Sequence, residues 1–345
     1  MKLSLVATDP LEEAMLAGGK FPVPMMLAWM GAAGSRLLVV GTRLGVFDRL
    51  AENPLTTDEL AAAAGFDFHG TQVLLEGLAG FGFLTRTAGR FAPTDEVRRW
   101  LTAAATMNIA PMIALMEEIQ GWLLGLESGV RTGRVANFHF RTGDEGWANY
   151  RGLLRVSALF QAPVLLRELA VPPGRCRVLD VGGGPGHYAV SLAKANPEST
   201  VAVLDLEQSA GEGRANAEAV GVSDRVRYVV GDVFAADWPD GPYDLVLMSH
   251  FLHCLPEARC REAVRRAAAV LAPGGRAAIH DVFIAEPDGE LVADDVTYSL
   301  VYFTGTGGRS WPVSTCRSWL ADAGLIEVAG RRLESGSVLV TGTKG

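Results

Sequence analysis

The chain has 345 residues, 49% of them hydrophobic and 20% charged. That is enough for about two domains with packed cores, and it excludes a disordered chain or a collagen-like fibre. A net charge of −8 argues against a protein whose main task is gripping nucleic-acid phosphates, which needs a basic face.

Cys176, Cys254, Cys260 and Cys316 are too few and too scattered for a disulfide framework or a CxxC metal site. Met1-Lys2-Leu3 runs quickly into Asp9 and Glu12, unlike a secretory signal. The charge-free stretches Lys20 to Arg36 and Arg99 to Glu117 fall short of the roughly 18–20 residues of a membrane span, and Pro22, Pro24 and Pro111 interrupt them. The expectation is a soluble, cytoplasmic protein with no membrane partner.

From Lys20 to about Ala105 the pattern is mostly helical, with Leu37–Val40, Leu44 and Val46 on an apolar face. Thr56-Thr57-Asp58-Glu59 reads as an N-cap with an acidic first turn, opening a helix that Gly65 stops. A second helix follows, with Val73, Leu74, Leu78 and Phe81 as its apolar face. Phe83–Arg86 and Arg90–Ala92 then flank a hairpin turn at Thr87-Ala88-Gly89. Helix, turn, helix, hairpin is the order of a winged helix.

Met107 to Leu169 carries no strand signal and reads as helical, with a loop at Asn137–Phe140 and Arg141–Asp144. From Arg175 short β-branched runs alternate with Ala-rich helical stretches. The strands fall at Val178–Val181, Val201–Asp205, Val226–Val230, Leu245–Met248 and Ala277–Asp281, the last entered through a Pro273-Gly274-Gly275 turn. That alternation predicts an α/β fold with an open, mostly parallel sheet. A helix ending at Gly324 and strands near Ile326–Val328 and Ser337–Thr341 complete the chain. The expected domains are residues 1–105 and 106–345, the second divided into a helical segment, 106–172, and a sheet core, 173–345.

The first of these strands runs into Asp180-Val181-Gly182-Gly183-Gly184-Pro185-Gly186-His187 and then a helix. A glycine-rich turn there lets a ligand approach the backbone closely. The dinucleotide fingerprint GxGxxG would need its third glycine at position 187, which is His187, and no Gly-Lys-Ser/Thr follows for a P-loop. Asp205, ending the second strand, is placed to accept ribose hydroxyls. Here the chain resembles the S-adenosylmethionine-dependent methyltransferases: Val178–Gly186, Asp205, and Gly231-Asp232-Val233-Phe234 are similar to three successive motifs of that superfamily. The resemblance implies a Rossmann-like class I methyltransferase sheet. It places Asp180, Gly182, Gly184 and Gly186 at the methionine part of the cofactor, Asp205 and Leu206 at the ribose, Asp232, Val233 and Phe234 at the adenine, and Ser249 in the cofactor site.

Methyl transfer to oxygen requires the acceptor to lose a proton, and a phenol at about pKa 10 gains from a histidine base near about 6.5. His253 lies just after the fourth strand, where open α/β sheets place their chemistry. Met248–Glu257 is similar to the RHxLHDWxD segment of the plant-type and actinobacterial small-molecule O-methyltransferases. Those proteins also carry an N-terminal winged-helix dimerisation domain, which Gly41–Phe47 through Pro93-Thr94 resembles; the likeness runs from about Met26 to Thr341. It implies that His253 is the general base, that Asp281 orients it, and that the chain is a homodimer acting on a small aromatic or polycyclic secondary metabolite, as in antibiotic biosynthesis. The chain departs from that pattern at Ser249, at Cys254-Leu255, and at Ser310 or Trp311, where a second acidic partner is expected.

Three other readings compete. Transfer to carbon or nitrogen, or a non-methylating relative, keeps the cofactor. A two-His-one-carboxylate iron site from His250, His253 and Asp281 or His280 is disfavoured because His280 and Asp281 alternate on a strand, so the expectation is no metal. A winged-helix regulator would need Arg or Lys on its recognition helix, and Gly70–Gly80 has neither. No nucleic-acid partner is expected. Instead Val39, Val40 and Leu44 are candidates for a face buried against a second copy.

Overall fold

The structure is a computed structural model and describes residues 5–141, 143–169, 171, 174–235 and 237–345. Met1-Lys2-Leu3, Thr142 of the expected loop and the expected boundary at residues 172 and 173 lie outside the described residues. Two compact units form, one ending at Glu118 and the other covering Ile119–Gly345. The division falls inside a helix, later than the boundary read at residue 105.

The first unit comprises α1 (Pro10–Ala17), α2 (Val23–Arg43), α3 (Val46–Glu52), α4 (Thr57–Ala64), α5 (Phe68–Gly80), β1 (Leu84–Thr87), β2 (Arg90–Pro93), α6 (Asp95–Leu101) and the start of α7 (Ala110–Leu124). Thr56 and Glu59 form a reciprocal capping box at α4. The Glu59 carboxylate is also held by both guanidinium nitrogens of Arg90, 2.7 and 2.9 Å away, which ties the helix to the hairpin. β1 and β2 pair antiparallel across Ala88 and Gly89, both at positive φ, as a tight hairpin requires. The helix, helix, hairpin order matches the sequence reading. Its core joins Val46, Phe47, Leu50, Leu60, Leu75, Leu78, Leu84 and Phe91.

Two details of that unit differ from expectation. The 3.6-residue period puts Thr71, Leu75 and Leu78 on the buried stripe of α5, leaving Val73 exposed. Pro22 and Pro24 do not interrupt a helix; they start one, since proline fits the first turn, and α2 runs on through Arg36. α2 is long and apolar enough to cross a membrane by length and composition alone. Val39 is fully buried inside the chain, whereas Met25, Trp29 and Met30 are exposed.

The second unit continues with α8 (Leu126–Thr132), α9 (Phe138–Arg141) and α10 (Asp144–Leu169). Phe138–Arg141 is thus one helical turn where a loop was expected, entered through Asn137 at φ +53°. Then come β3 (Arg177–Val181), α11 (His187–Ala195), β4 (Thr200–Asp205), α12 (Glu207–Ala219), β5 (Val226–Val230), β6 (Tyr243–Ser249), α13 (Glu257–Val270), β7 (Leu271–Asp281), α14 (Ala293–Thr306), α15 (Val313–Asp322), β8 (Leu325–Arg332) and β9 (Val338–Lys344). Pro273-Gly274-Gly275 lies within β7 as a register shift against β6, not as a turn before the strand.

The seven strands are ordered β5-β4-β3-β6-β7-β9-β8, parallel from β5 to β7 and antiparallel beyond. Chain progression therefore reverses between β3 and β6. Open sheets bind ligands outside the carboxyl ends of strands at such a reversal, because the loops diverge there and leave a crevice. Apolar clusters cover both faces of the sheet, one containing Leu179, Val246, Ile279 and Trp319, the other Val178, Leu192, Val203 and Leu245.

Candidate active site

β3 ends at Val181 and the chain turns through Gly182–Gly186 into α11. At Gly182, φ is +67° and an added Cβ would come within 2.3 Å of the Phe251 ring. At Gly186, φ is +69° and a Cβ would lie 2.1 Å from the Tyr228 hydroxyl. Side chains are excluded at both positions, so the loop offers bare backbone to a cavity of about 390 Å³ beside it. That cavity lies at the carboxyl ends of β3, β4, β5 and β6.

Of the residues expected at the cofactor, Gly182, Gly184, Asp205, Leu206, Asp232, Val233, Phe234 and Ser249 line this cavity. Asp205 holds the loop as well, because its carboxylate accepts the N–H groups of Gly184 and Leu206, each at 2.7 Å. Burial raises its pKa, and those two hydrogen bonds oppose the rise. Phe234 carries the Arg259 guanidinium over its ring at 4.6 Å, and Asp232 caps the turn by accepting from the Phe234 N–H.

Asp180 and Gly186 lie outside the lining. Asp180 is fully buried beneath the loop, where a Cβ on Gly183 would meet its carboxylate at 2.6 Å. Among the described residues neither of its oxygens has a hydrogen-bond partner, and burial, with Asp205 nearby, pushes its pKa up to about 7. Ser249 donates to or accepts from Nδ1 of His280 at 2.8 Å, and Nε2 of His280 meets the Ser337 hydroxyl at 2.8 Å. Burial holds His280 well below the usual histidine range.

His253 sits in a short 3₁₀ turn, Leu252–Cys254, directly after β6, and Asp281 ends β7. The parallel pairing of those strands brings the two together. Nδ1 of His253 is 2.6 Å from Oδ1 of Asp281, which also accepts the Val282 N–H at 2.8 Å. Burial alone would raise the Asp281 carboxyl; His253 and His250 together hold it well below the usual carboxylate range. A carboxylate that only accepts fixes the proton of His253 on Nδ1 and leaves Nε2 as the basic nitrogen. Among the described residues Nε2 has no hydrogen-bond partner. His253 and Asp281 lie behind the cavity wall, whose surface here is His250, Phe251 and Cys254. Tyr302 covers the imidazole, stacked at 3.7 Å.

Donor atoms of His250, His253 and Asp281 lie within 4.8 Å of one another, while His280 points away to its two serines. The second carboxylate position is filled without an acid. Ser310 is fully buried, its hydroxyl without a partner among the described residues, and Gly308 packs so closely that a Cβ would lie 2.0 Å from the His253 carbonyl. Cys254 faces the cavity, but burial raises its thiol far above the ordinary range, so it is no ready nucleophile.

The helical segment supplies the other wall, whose individual residues the sequence did not single out. His139, Phe140, Trp147 and Tyr150 line the cavity, and His139 Nε2 meets the Tyr150 hydroxyl at 3.2 Å. Burial, with His253 nearby, pushes His139 down to about 4, so it is neutral at pH 7.

Comparison with known proteins agrees with this geometry. A methyltransferase-domain family model matches residues 178–275, and an O-methyltransferase dimerisation-domain model matches residues 28–104. The chain belongs to the S-adenosylmethionine-dependent small-molecule O-methyltransferases. This O-methyltransferase is 28% identical to the acetylserotonin O-methyltransferase of Mus musculus over 88% of its own chain and 83% of the relative. It is 26% identical to the 3-hydroxy-5-methyl-1-naphthoate 3-O-methyltransferase of Streptomyces sahachiroi, covering 87% and 88% of the two chains. It shares its fold with human N-acetylserotonin methyltransferase, solved in complex with S-adenosylmethionine, at a TM-score of 0.78 and 20% identity over 99% and 100% of the chains.

The cavity suits the family's cofactor chemically. The Cβ-intolerant loop leaves room for close approach to its backbone, and Asp205 and Asp232 are acceptors for hydroxyl and amino hydrogens. Val233, Phe234 and Leu206 supply an apolar slot for a flat base.

Proposed function

We propose that this O-methyltransferase methylates a hydroxyl on a small aromatic or polycyclic acceptor, with His253 as general base and Asp281 as the residue that fixes its tautomer. The observation that carries the reading is the 2.6 Å hydrogen bond between His253 Nδ1 and Asp281, formed beside the cavity at the ends of adjacent parallel strands. Gly182 and Gly184 would hold the methionine part of the cofactor, Asp205 and Leu206 the ribose, Asp232, Val233 and Phe234 the adenine; Ser249 would complete the wall. Asp180 and Gly186 would act from behind the loop, by shaping it. When bound, S-adenosylmethionine supplies an electrophilic methyl group. His253 takes the hydroxyl proton at Nε2, and the Asp281 carboxylate stabilises the resulting imidazolium. Trp147, Phe140 and Tyr150 offer flat apolar surface against which an aromatic acceptor would pack, in line with the naphthoate and acetylserotonin named for the relatives.

The dimerisation-domain match and the exposed apolar residues of α2 support a homodimer formed through the first unit. α5 carries no Arg or Lys, which supports the expectation that the hairpin unit does not grip DNA. A soluble, cytoplasmic location fits these assignments.

The deciding experiment is an acceptor screen with hydroxylated naphthoates and indoles, read by S-adenosylhomocysteine release and by locating the new methyl group. His253→Ala should lower turnover by roughly 10²–10⁴ with cofactor affinity retained. Wild-type turnover in that variant, or a methyl group found on carbon or nitrogen, would count against the reading.

A further inference from the structure

His250 occupies an unusual position. It follows β6 directly and adopts φ +51°, the left-handed region that non-glycine residues rarely take. Such a conformation persists when its surroundings over-determine it. Three contacts do so here. The backbone N–H of His250 donates to the His280 carbonyl at 2.8 Å, extending the β6–β7 pairing by one bond. Nε2 lies 3.0 Å from the side-chain amide oxygen of Gln161 on α10. Nδ1 lies 3.5 Å from Oδ1 of Asp281, the oxygen that His253 also uses.

Gln161 is itself anchored, its amide nitrogen donating to the Ser157 hydroxyl at 2.9 Å, one turn earlier on α10. A side-chain chain therefore runs from Ser157 through Gln161 and His250 to Asp281 and His253. Its polarity can be worked out. Asp281 is ionised and only accepts, so the Nδ1 of His250 facing it must carry a proton for the contact to attract. If the Gln161 oxygen faces the ring, His250 donates from both nitrogens; if the amide is turned over, Nε2 accepts and the ring is neutral. Both arrangements put the proton on Nδ1.

We propose that His250 and Gln161 are positioning residues of the methyl transfer, acting through the carboxylate of Asp281 to hold His253 in its working orientation. The proposal rests on His253 being the base. Asp281 Oδ1 then takes hydrogen bonds from His253 and Val282, and His250 Nδ1, 3.5 Å away, steers it electrostatically from the side of α10. The groups around His250 are Asp281 and His280 of β7, His253, Tyr188 of α11 and Gln161 of α10. Asp281 is the one anion among them. Removing the His250 N–H leaves Asp281 a stronger acceptor for His253 alone, so His253 should keep its proton to higher pH.

The test compares His250→Asn with His250→Gly. Both residues tolerate positive φ, but only asparagine keeps an N–H donor near the Nδ1 position. His250→Asn should retain kcat within about threefold, while His250→Gly should lose about 10–100-fold, the usual effect of an outer hydrogen-bond partner. In His250→Gly the acidic limb of the kcat profile should move to higher pH, with S-adenosylmethionine affinity by calorimetry retained. Gln161→Leu, which leaves the strained residue untouched, should shift kcat and the pH profile in the same directions. The His253 Nδ1–H proton resonance, read by NMR on ligand-free protein, should move downfield in His250→Gly and Gln161→Leu but not in His250→Asn. Equal kcat, pH profile and resonance in the Asn and Gly variants would overturn the proposal. The NMR reading needs no turnover, so it separates failure of this coupling from failure of His253 as base.

Discussion

The ring of Tyr302 lies flat on the imidazole of His253, with 3.7 Å between centroids and 5° between planes. The Asp281 carboxylate fixes His253 at Nδ1, and a hydrogen bond at one edge leaves the ring free to rock about it. Tyr302, on α14, removes that freedom by presenting a parallel wall. Tyr302→Phe keeps the wall and should leave kcat within about threefold of wild type. Tyr302→Ala should lower kcat by about 10–100-fold, because a small displacement of a base is costly. Steady-state kinetics on the two variants decide it; equal rates would mean that the stack does not hold the base.

Asp205 joins the second strand end to the first, since its carboxylate holds Gly184 and Leu206 by their N–H groups. The side chain therefore serves the loop's shape as well as any ribose. Asp205→Ala removes both functions and should weaken S-adenosylmethionine binding by at least about 1.5–3 kcal/mol, the usual range for charge-assisted hydrogen bonds. Asp205→Asn keeps one acceptor and should lose less. Calorimetric titration measures both, and unchanged affinity in the alanine variant would remove Asp205 from the cofactor site.

Much of this site was legible before the fold was known because it follows the strand ends. Asp205 ends a strand, Asp232 and His253 follow strand ends within a few residues, and a parallel sheet gathers such positions at one edge whatever the intervening helices do. The glycine spacing likewise reported a backbone that must stay bare. What the sequence hid depends on helix packing. His139 and Tyr150 come from α9 and α10, and nothing in their periodicity distinguishes a cavity wall from a core. Val39 was misplaced for a related reason: an apolar stripe shows that a helix face is buried, not which partner buries it. The pairing of His253 with Asp281 was expected from the sequence, but not the stack of Tyr302 on the imidazole, since α14 reaches it through tertiary packing alone.

Asp180 makes the fold less stable as pH rises from about 4 to about 7. Its carboxyl is buried without a partner among the described residues, and burial pushes its pKa up to about 7, against about 3.9 in an unfolded chain. Between those values the folded protein keeps a proton that the unfolded chain has lost. Unfolding then releases a proton, and stability falls as pH rises, levelling off above about 7. Asp180→Asn removes the charge without changing the shape. The variant and wild type should melt together near pH 4, and the variant should gain about 1–3 kcal/mol by pH 8, the scale of relieving a poorly solvated buried group. Thermal melts across that range give the comparison; parallel curves would show that Asp180 is ionised at little cost in the fold.

The exposed residues of α2 call for a partner. Met25 and Trp29, one helical turn apart, are 52% and 69% exposed, and Met30 beside them is 42% exposed. Contiguous apolar surface of this kind marks a contact face. A stable dimer needs about 800 Å² from each partner, of which one tryptophan supplies about 150–250 Å². Trp29→Glu places a charge at the centre of that face without touching the buried side of α2 at Val39. The wild-type chain should sediment as a dimer and the variant as a monomer with an unchanged far-ultraviolet spectrum. A monomeric wild type that instead floats with lipid vesicles, losing that property on Trp29→Glu, would assign the face to a membrane surface and remove the dimer.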